Sequence, residues 1–442
     1  MSKIKGNIGS YVSICRTRRF DTGQYRGNGC TGRRGDDNHY LSWSLGTLHV
    51  AGWYGKQGSG SDHTTVNPLG RLFKGVLLYI LPMKSVIALL CVVLVLWCTG
   101  CGDTPVGDSR EEFGKELDVS WTSDVQFPVD SLGNPDFMHA TGGHLIFAEP
   151  RNERLLTVYN PTFGTIARML PKGRAANEFL NVHQIGTYPS DSGASFFVFD
   201  NFSSKIFVYS LSGGHFTPNL QLNAPDGLMS FAFLTPDQML GCAKDDSRYM
   251  RVDTSGCIDA RFGDYEAFKL TIPVGSSLLQ GLSISAAMPD RQQRYAWFSF
   301  YGTGFQIIDS ATDSCRIIAS KMYAMPEFEI MSASAGSYPV FGQRTPIGYP
   351  AVTTDGRYIY ALYSGHTLAE IMQNRDMAWR SHTIHVYDWE GNPCLLLHSD
   401  SALKTLAYDN ATNRLYALNM TDEGLYRLVY LDMAEIYRQA DL

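Results

Sequence analysis

Six short segments decide the reading of this chain. They are Leu156-Thr157-Val158-Tyr159-Asn160, Ile206-Phe207-Val208-Tyr209-Ser210, Met250-Arg251-Val252-Asp253-Thr254, Gln306-Ile307-Ile308-Asp309-Ser310, Ile384-His385-Val386-Tyr387-Asp388 and Arg427-Leu428-Val429-Tyr430-Leu431. Most alternate in the manner of a half-buried strand, and several run into Gly or Asp turns such as Ser212-Gly213-Gly214, Ser255-Gly256 and Glu390-Gly391-Asn392. The last position but one falls at 159, 209, 253, 309, 387 and 430. A period of about 40–50 residues built from short strands is the mark of a β-propeller, each repeat supplying one blade. The chain therefore reads as all-β, a six-bladed β-propeller in which the six segments are the second strands of their units.

The wide step between 309 and 387 has two causes in the sequence. A Pro- and Gly-bearing connection runs from Ala324 to Pro350. From Thr367 to Arg380, Thr367 and Glu370 have capping-box spacing, with Leu368, Ile371 and Met372 on one face. This predicts a short helix inserted in the fifth blade.

Aromatic residues are abundant, with 24 Tyr and 23 Phe, and charged residues make up 18%, a composition suited to packed strands rather than disorder. The net charge of −6 is unevenly spread. Residues 1–82 carry 11 basic against 4 acidic residues, so the remainder is acidic and disfavours a nucleic-acid partner.

Residues 83–101 begin with Met83 and Lys84, continue through an apolar run, and end in Thr99-Gly100-Cys101. This order is that of a signal peptide, and the small residues before Cys101 form a lipobox, although Cys98 stands where Leu is usual. The competing reading is a membrane helix over 75–97, which Pro82 and Lys84 interrupt. Lipidation at Cys101 makes Met83 the natural start. Residues 1–82, holding 14 of the 42 Gly, then read as a non-native or disordered extension. Residues 102–116 read as a flexible tether and 117–442 as the propeller. Four cysteines lie beyond the lipid site, namely Cys242, Cys257, Cys315 and Cys394. They show no CxxC spacing and read as buried thiols more readily than as disulfides.

With these motifs in view, the chain resembles the six-bladed β-propeller lipoproteins of Gram-negative anaerobes, related in shape to TolB-like and NHL-type propellers. The resemblance is carried by Lys172-Gly173-Arg174-Ala175-Ala176-Asn177-Glu178-Phe179, by Tyr360-Ala361-Leu362-Tyr363-Ser364-Gly365 and by Ile384 through Pro393. Ala175 and Ala176 stand where that group carries Gly-Pro. The resemblance covers Leu117 to the C-terminus and identifies fold far better than activity.

In a propeller, the turn of each blade's first hairpin faces one side; the next turn and the blade-to-blade connections face the other. The second side collects the 172–179 segment, the 324–350 connection and the 364–382 insertion, and loops on a rigid scaffold commonly carry function. Its candidate binding residues are Arg174, Glu178, Asp200, Asp245, Asp246, Tyr301, Arg344 and His366. Arg174 and Arg344 have the chemistry to clamp an anion, and Asp245 with Asp246 to contribute to a divalent-cation site. Each also has a plainer reading: Glu178 as an acceptor for nearby backbone N–H groups, Asp200 as a turn residue, and Tyr301 and His366 as packing at strand ends.

HExxH, P-loop and GxSxG motifs are missing from the sequence. The expectation is an uncatalytic binding or assembly module without a cofactor. It would be held by lipid at the cell envelope, at the outer membrane facing periplasm or exterior, with a protein or saccharide as partner. The alternatives are a metal-dependent hydrolase or lyase of lactonase type with a divalent cation on the axis, and a TolB-like envelope adaptor.

Overall fold

The six quoted segments all form strands; in this computed structural model five of them are the third strand of their run, not the second, and the sixth, Arg427–Leu431, lies in the last strand of the last sheet. The structure describes residues 112–442 except 125, 129–130, 191–193, 244–246, 264–280, 288–292, 312–313, 334–335, 375–379 and 422–423. The extension 1–82, the signal peptide with Cys101, tether residues 102–111, and Asp245 with Asp246 lie outside the described residues.

Two N-terminal strands come first, β1 (Glu116–Val119) and β2 (Thr122–Ser123). Four antiparallel meanders of four strands follow. The first is β3 (Phe137–Thr141), β4 (His144–Ala148), β5 (Arg154–Asn160) and β6 (Thr165–Pro171). The second is β7 (Gln184–Thr187), β8 (Ser195–Asp200), β9 (Lys205–Ser212) and β10 (His215–Asn223). The third is β11 (Leu228–Thr235), β12 (Gln238–Ala243), β13 (Tyr249–Asp253) and β14 (Ile258–Phe262). The fourth is β15 (Gly281–Ala287), β16 (Gln293–Ser299), β17 (Thr303–Asp309) and β18 (Arg316–Ala324).

A separate hairpin, β19 (Phe328–Ala333) with β20 (Gly336–Phe341), occupies the long connection. The last sheet runs through β21 (Ala351–Thr354), β22 (Tyr358–Tyr363), β23 (Ser381–Asp388), β24 (Pro393–Asp409), β25 (Arg414–Met420) and β26 (Tyr426–Asp432). Strand β24 pairs with β23 mainly through its first half and with β25 through Leu403–Asp409. Strand β2 joins the far edge on β26, and β1 runs parallel to β24 from Glu116↔Leu396 to Val119↔Ser399.

The first strands meet in a closed circuit, β3 against β7, β7 against β11, β11 against β15, β15 against β21, β21 against β24 and β24 against β3. This is a propeller: sheets set around an axis, with the core in the seams between them. One apolar seam joins Leu156 and Phe179 to Phe196 and Val198, and the next joins Phe197 and Phe199 to Phe231 and Met250. The two halves of the last sheet also pack face to face, with Tyr360, Ile384 and Leu397 against Leu406, Leu415 and Val429. Burying a side chain such as Phe231 or Leu415 contributes roughly 1.5–3 kcal/mol each.

The turns have a common chemistry. Asp388 Oδ1 accepts from the Glu390 and Asn392 N–H groups (3.0 and 2.8 Å), and Asp253 Oδ1 from those of Ser255 and Cys257 (2.9 and 2.8 Å). The Ser255 hydroxyl and these N–H groups hold the Asp253 carboxyl below the usual range.

Helix α1 (Leu368–Gln373) lies between β22 and β23, with its Thr367/Glu370 capping box formed. Helix α2 (Met433–Ala440) follows β26 and buries Met433 and Ile436. Among the described residues no helix is long and apolar enough to cross a membrane. Cys242, Cys257, Cys315 and Cys394 are half-buried free thiols.

His139 on the first strand β3 lies 6.4 Å from the Phe196 ring, and its Nε2 is buried with no hydrogen-bond partner among the described residues. Burial pushes its pKa down from 6.5 to about 4. Between those values the unfolded chain binds a proton that the folded ring refuses, so stability falls as pH falls through that window. The maximal contribution is about 3 kcal/mol. Urea unfolding of His139→Leu is expected to show a flatter stability profile from pH 6.5 to 4 than the parent chain.

Candidate functional site

Antiparallel meanders send alternate turns to opposite ends of a sheet, so second-to-third-strand turns and sheet-to-sheet connections share one end. Each described candidate lies in or next to one of those segments. Asp200 ends β8, and Tyr301 and His366 follow β16 and β22; Arg174 and Glu178 lie between β6 and β7, and Arg344 between β20 and β21.

The structure assembles them into two groups. In the first, the 172–179 loop closes on itself. Gly173 N–H donates to the Phe179 carbonyl (2.9 Å), Phe179 N–H to that of Pro171 (3.2 Å), and Glu178 Oε2 accepts from Ala175 N–H (2.9 Å). Phe179 is fully buried against Phe207, with ring centroids 4.8 Å apart. A Cβ on Gly173 would collide with the Glu178 carboxylate, so a side chain here would push that carboxylate out of the loop. Lys205 Nζ donates to the carbonyls of Ala175, Ala176 and Glu178 from below.

Asp200 is fully buried beside this loop. Its Oδ2 accepts from Leu180 N–H (2.8 Å) and the Ser203 hydroxyl (2.6 Å), and its Oδ1 from Phe202 N–H (2.9 Å). Glu178 and Asp200 thus hold backbone in place. Arg174 is exposed at the loop's tip.

The second group surrounds the two insertions. Tyr301 stacks on Phe341 at 4.1 Å and meets Phe300 edge-on, and burial raises its phenol above the ordinary value. Arg344 is paired to Glu327 through Nη2 to Oε1 (2.8 Å) and Nε to Oε2 (3.2 Å), so its guanidinium fork already holds a carboxylate. His366 Nδ1 lies 4.0 Å from Glu370, and its carbonyl accepts from Ile347 N–H (2.8 Å). Among the described residues no three His, Cys, Asp or Glu side chains are grouped to hold a metal ion.

Sequence reasoning missed a buried lysine at the seam between the last and first sheets. Lys404, 3% exposed, donates to Asn134 Oδ1 and to the Tyr426 hydroxyl (3.0 Å), with the Tyr426 ring 4.8 Å from Nζ. The sequence signal is a lysine set between apolar residues in Ala402-Leu403-Lys404-Thr405-Leu406-Ala407. Also missed was Arg248, buried with its guanidinium 4.1 Å from the Trp297 ring. Trp297 is itself fully buried, a core residue rather than a platform.

A family model described as TolB-like 6-blade propeller-like matches residues 134–410. Among curated protein sequences no match to the chain is found. Similar solved structures include a putative exported protein of Bacteroides fragilis, at 11% identity and TM-score 0.44, covering 72% of this chain and 99% of that one. The β-propeller domain of Cps50 (Swd1) from Myceliophteria thermophila has 12% identity and TM-score 0.37, covering 68% and 97%. Raptor from Chaetomium thermophilum has 11% identity and TM-score 0.40, covering 70% of this chain and 29% of that one.

If Glu178 organises its loop, Glu178→Ala and Gly173→Ala both loosen it. Limited trypsin digestion is expected to cleave after Arg174 severalfold faster in either variant, with thermal unfolding lowered by no more than about 1–3 kcal/mol in stability.

Proposed function

Because the chain belongs to the TolB-like 6-blade propeller-like family, we propose that it is a six-bladed, non-catalytic binding or assembly module. In this reading it is tethered by lipid on Cys101 to the cell envelope, at the outer membrane, and presents one end of its sheets to a protein or saccharide. Counting β24 as the outer strand of the fifth blade and the inner strand of the sixth gives six four-stranded blades, with β2 completing the last. Helix α1 then sits in the fifth blade.

One observation carries the binding reading. Of the eight large apolar side chains exposed among the described residues, five lie in second-to-third-strand turns or sheet-to-sheet connections: Phe202, Met331, Val340, Met372 and Leu425. Such side chains gathered at one end, on segments longer than a turn requires, mark a recognition surface. The polar candidates beside them are engaged in internal bonds, so they shape the surface more than they act chemically. The anchor is supported by the lipobox and by the short stretch of sequence from Cys101 to Glu112 and Phe113, which among the described residues are the first to meet the propeller.

Two measurements test this. Cys101→Ser is expected to move the protein from the membrane to the soluble fraction and abolish palmitate labelling; persistence in the membrane overturns the anchor. Crosslinking from intact cells is expected to lose its principal adduct in Phe202→Asp and Leu425→Asp but to keep it in Phe163→Asp, which lies in a third-to-fourth-strand turn. Equal yields in all three overturn the face assignment.

A further inference from the structure

Before its first four-stranded meander the chain crosses three seams, and at each it leaves an apolar plug and a polar stitch. Buried Phe113 lies between the fourth sheet and the front half of the last, among Phe305, Tyr387 and Leu396. Glu112 beside it pairs with Lys321 and accepts from the Tyr323 hydroxyl (3.0 Å). Leu117, Val119 and Trp121 enter the seam between the two halves of the last sheet. Trp121 Nε1 donates to Ser399 Oγ (2.8 Å), where β24 passes from pairing with β23 to pairing with β25. Phe127 fills the seam between the last sheet and the first, against Phe147 and Tyr159, and Asp124 accepts from the Tyr159 hydroxyl (3.2 Å).

We propose that residues 112–127 act as a belt, and that the closing strand β2 stays paired only while the front of the belt, docked on the fourth and last sheets, holds. The device governs how the ring is kept shut and is independent of what the ring binds.

Strand β2 has little hold of its own. It meets β26 over two residues, Thr122 and Ser123, and both side chains are exposed, so it buries no apolar surface. A strand this short is secured only through what flanks it. Behind it stands Phe127. Ahead stands the belt, whose period-two alternation turns Leu117, Val119 and Trp121 inward and Glu116, Asp118 and Ser120 to solvent. The docked belt presents β2 to β26 at the high effective concentration of a tethered partner; once released, the same two residues sit on a loose segment.

The front of the belt has holdings that do not involve β2. Lys115 Nζ donates to the carbonyls of Ala440 and Asp441 (both 2.9 Å), and the Lys115 carbonyl accepts from Leu396 N–H (2.9 Å). Glu116 Oε2 is 2.9 Å from His398 Nε2, and β1 runs parallel to β24 up to Val119. Dependence therefore runs one way. Loosening the front frees β2, whereas loosening β2 leaves the front docked.

Hydrogen exchange of the full chain, read by mass spectrometry, tests that order. In Phe113→Ala, amides of 116–124 and of Leu428–Tyr430 are expected to exchange at least about tenfold faster than in the parent, while those of β8 and β9 in the second sheet keep their rates. Glu112→Gln, a change at an exposed side chain, is expected to give the same pattern at about threefold, as suits an ion pair open to solvent. Thr122→Gly/Ser123→Gly is expected to accelerate 122–124 and 428–430 but to leave Lys115–Asp118 and Leu395–Leu397 at parent rates. Unchanged exchange at Leu428–Tyr430 in Phe113→Ala, or acceleration spread evenly over all the sheets, overturns the belt. Release of the front by the double glycine variant overturns the one-way order. If Phe113→Ala does not fold, Glu112→Gln decides by the same criteria.

Discussion

A ring of sheets has to be shut, and here the bolt is short. Strand β2 contributes Thr122 opposite Tyr430 and Ser123 opposite Val429, and Asp124 N–H adds one bond to the Leu428 carbonyl at 2.9 Å. Everything else in the propeller depends on that closure, because each sheet buries its two faces only while both neighbours are present. Two residues of ladder cannot hold the ring unaided. The same seam is therefore stitched by side chains: Lys404 to Asn134, the Tyr159 hydroxyl to Asp124 (3.2 Å), and Gly143 N–H to Asp409 (3.1 Å). The apolar layer of Phe127, Phe147, Tyr416 and Leu428 fills the space between. The buried Lys404 makes sense in this position, since a lysine with polar partners from both sides of a joint fixes its alignment, which hydrophobic contact alone does not.

The segment ahead of β2 extends the same logic. Glu112 pairs with Lys321 and accepts from the Tyr323 hydroxyl, and Phe113 is buried against His385 and Tyr387 at 5.0 and 5.4 Å. Lys115 reaches the carbonyls of Ala440 and Asp441 at the other terminus, both at 2.9 Å. Within a dozen residues the chain has touched the fourth sheet, both halves of the last sheet and the C-terminal helix. Any load on this N-terminal segment is shared among several joints before it reaches the β2 bolt.

How much of this is written legibly in the sequence follows from burial. Five of the six recognisable segments are third strands and the sixth is β26, each enclosed by neighbours within its sheet. Strand β5 is buried at every position after Arg154, so its residues must be apolar and its ends must turn sharply. Outer strands lack that constraint: β10 is exposed at seven of nine positions, and nothing in its sequence announces a strand. This also explains why the visible strands were one place out of order, since the short inner strands such as β7 are as quiet as the outer ones. The site was harder still. Asp200 has the same composition and context whether it binds a ligand or the Leu180 and Phe202 amides, and only the folded chain distinguishes them.

The two insertions show how a repetitive frame acquires an individual end. The hairpin β19–β20 and helix α1 come from different connections, yet their bases form one backbone knot. Gly302 N–H donates to the Pro346 carbonyl, Ile347 N–H to that of His366, Leu368 N–H to that of Thr345 and Ala369 N–H to that of Gln343, each at 2.8 Å. Tyr301 stacked on Phe341 and the Arg344–Glu327 pair brace the hairpin's root from either side. An isolated two-stranded hairpin is marginal in water, and this one gains its stability from its root rather than from its length. Met331 and Met372 are therefore displayed on elements with a common footing, and a partner touching both meets a surface whose ordering cost has already been met in folding. That is the physical reason to seek recognition at this end of the propeller without invoking a moving lid.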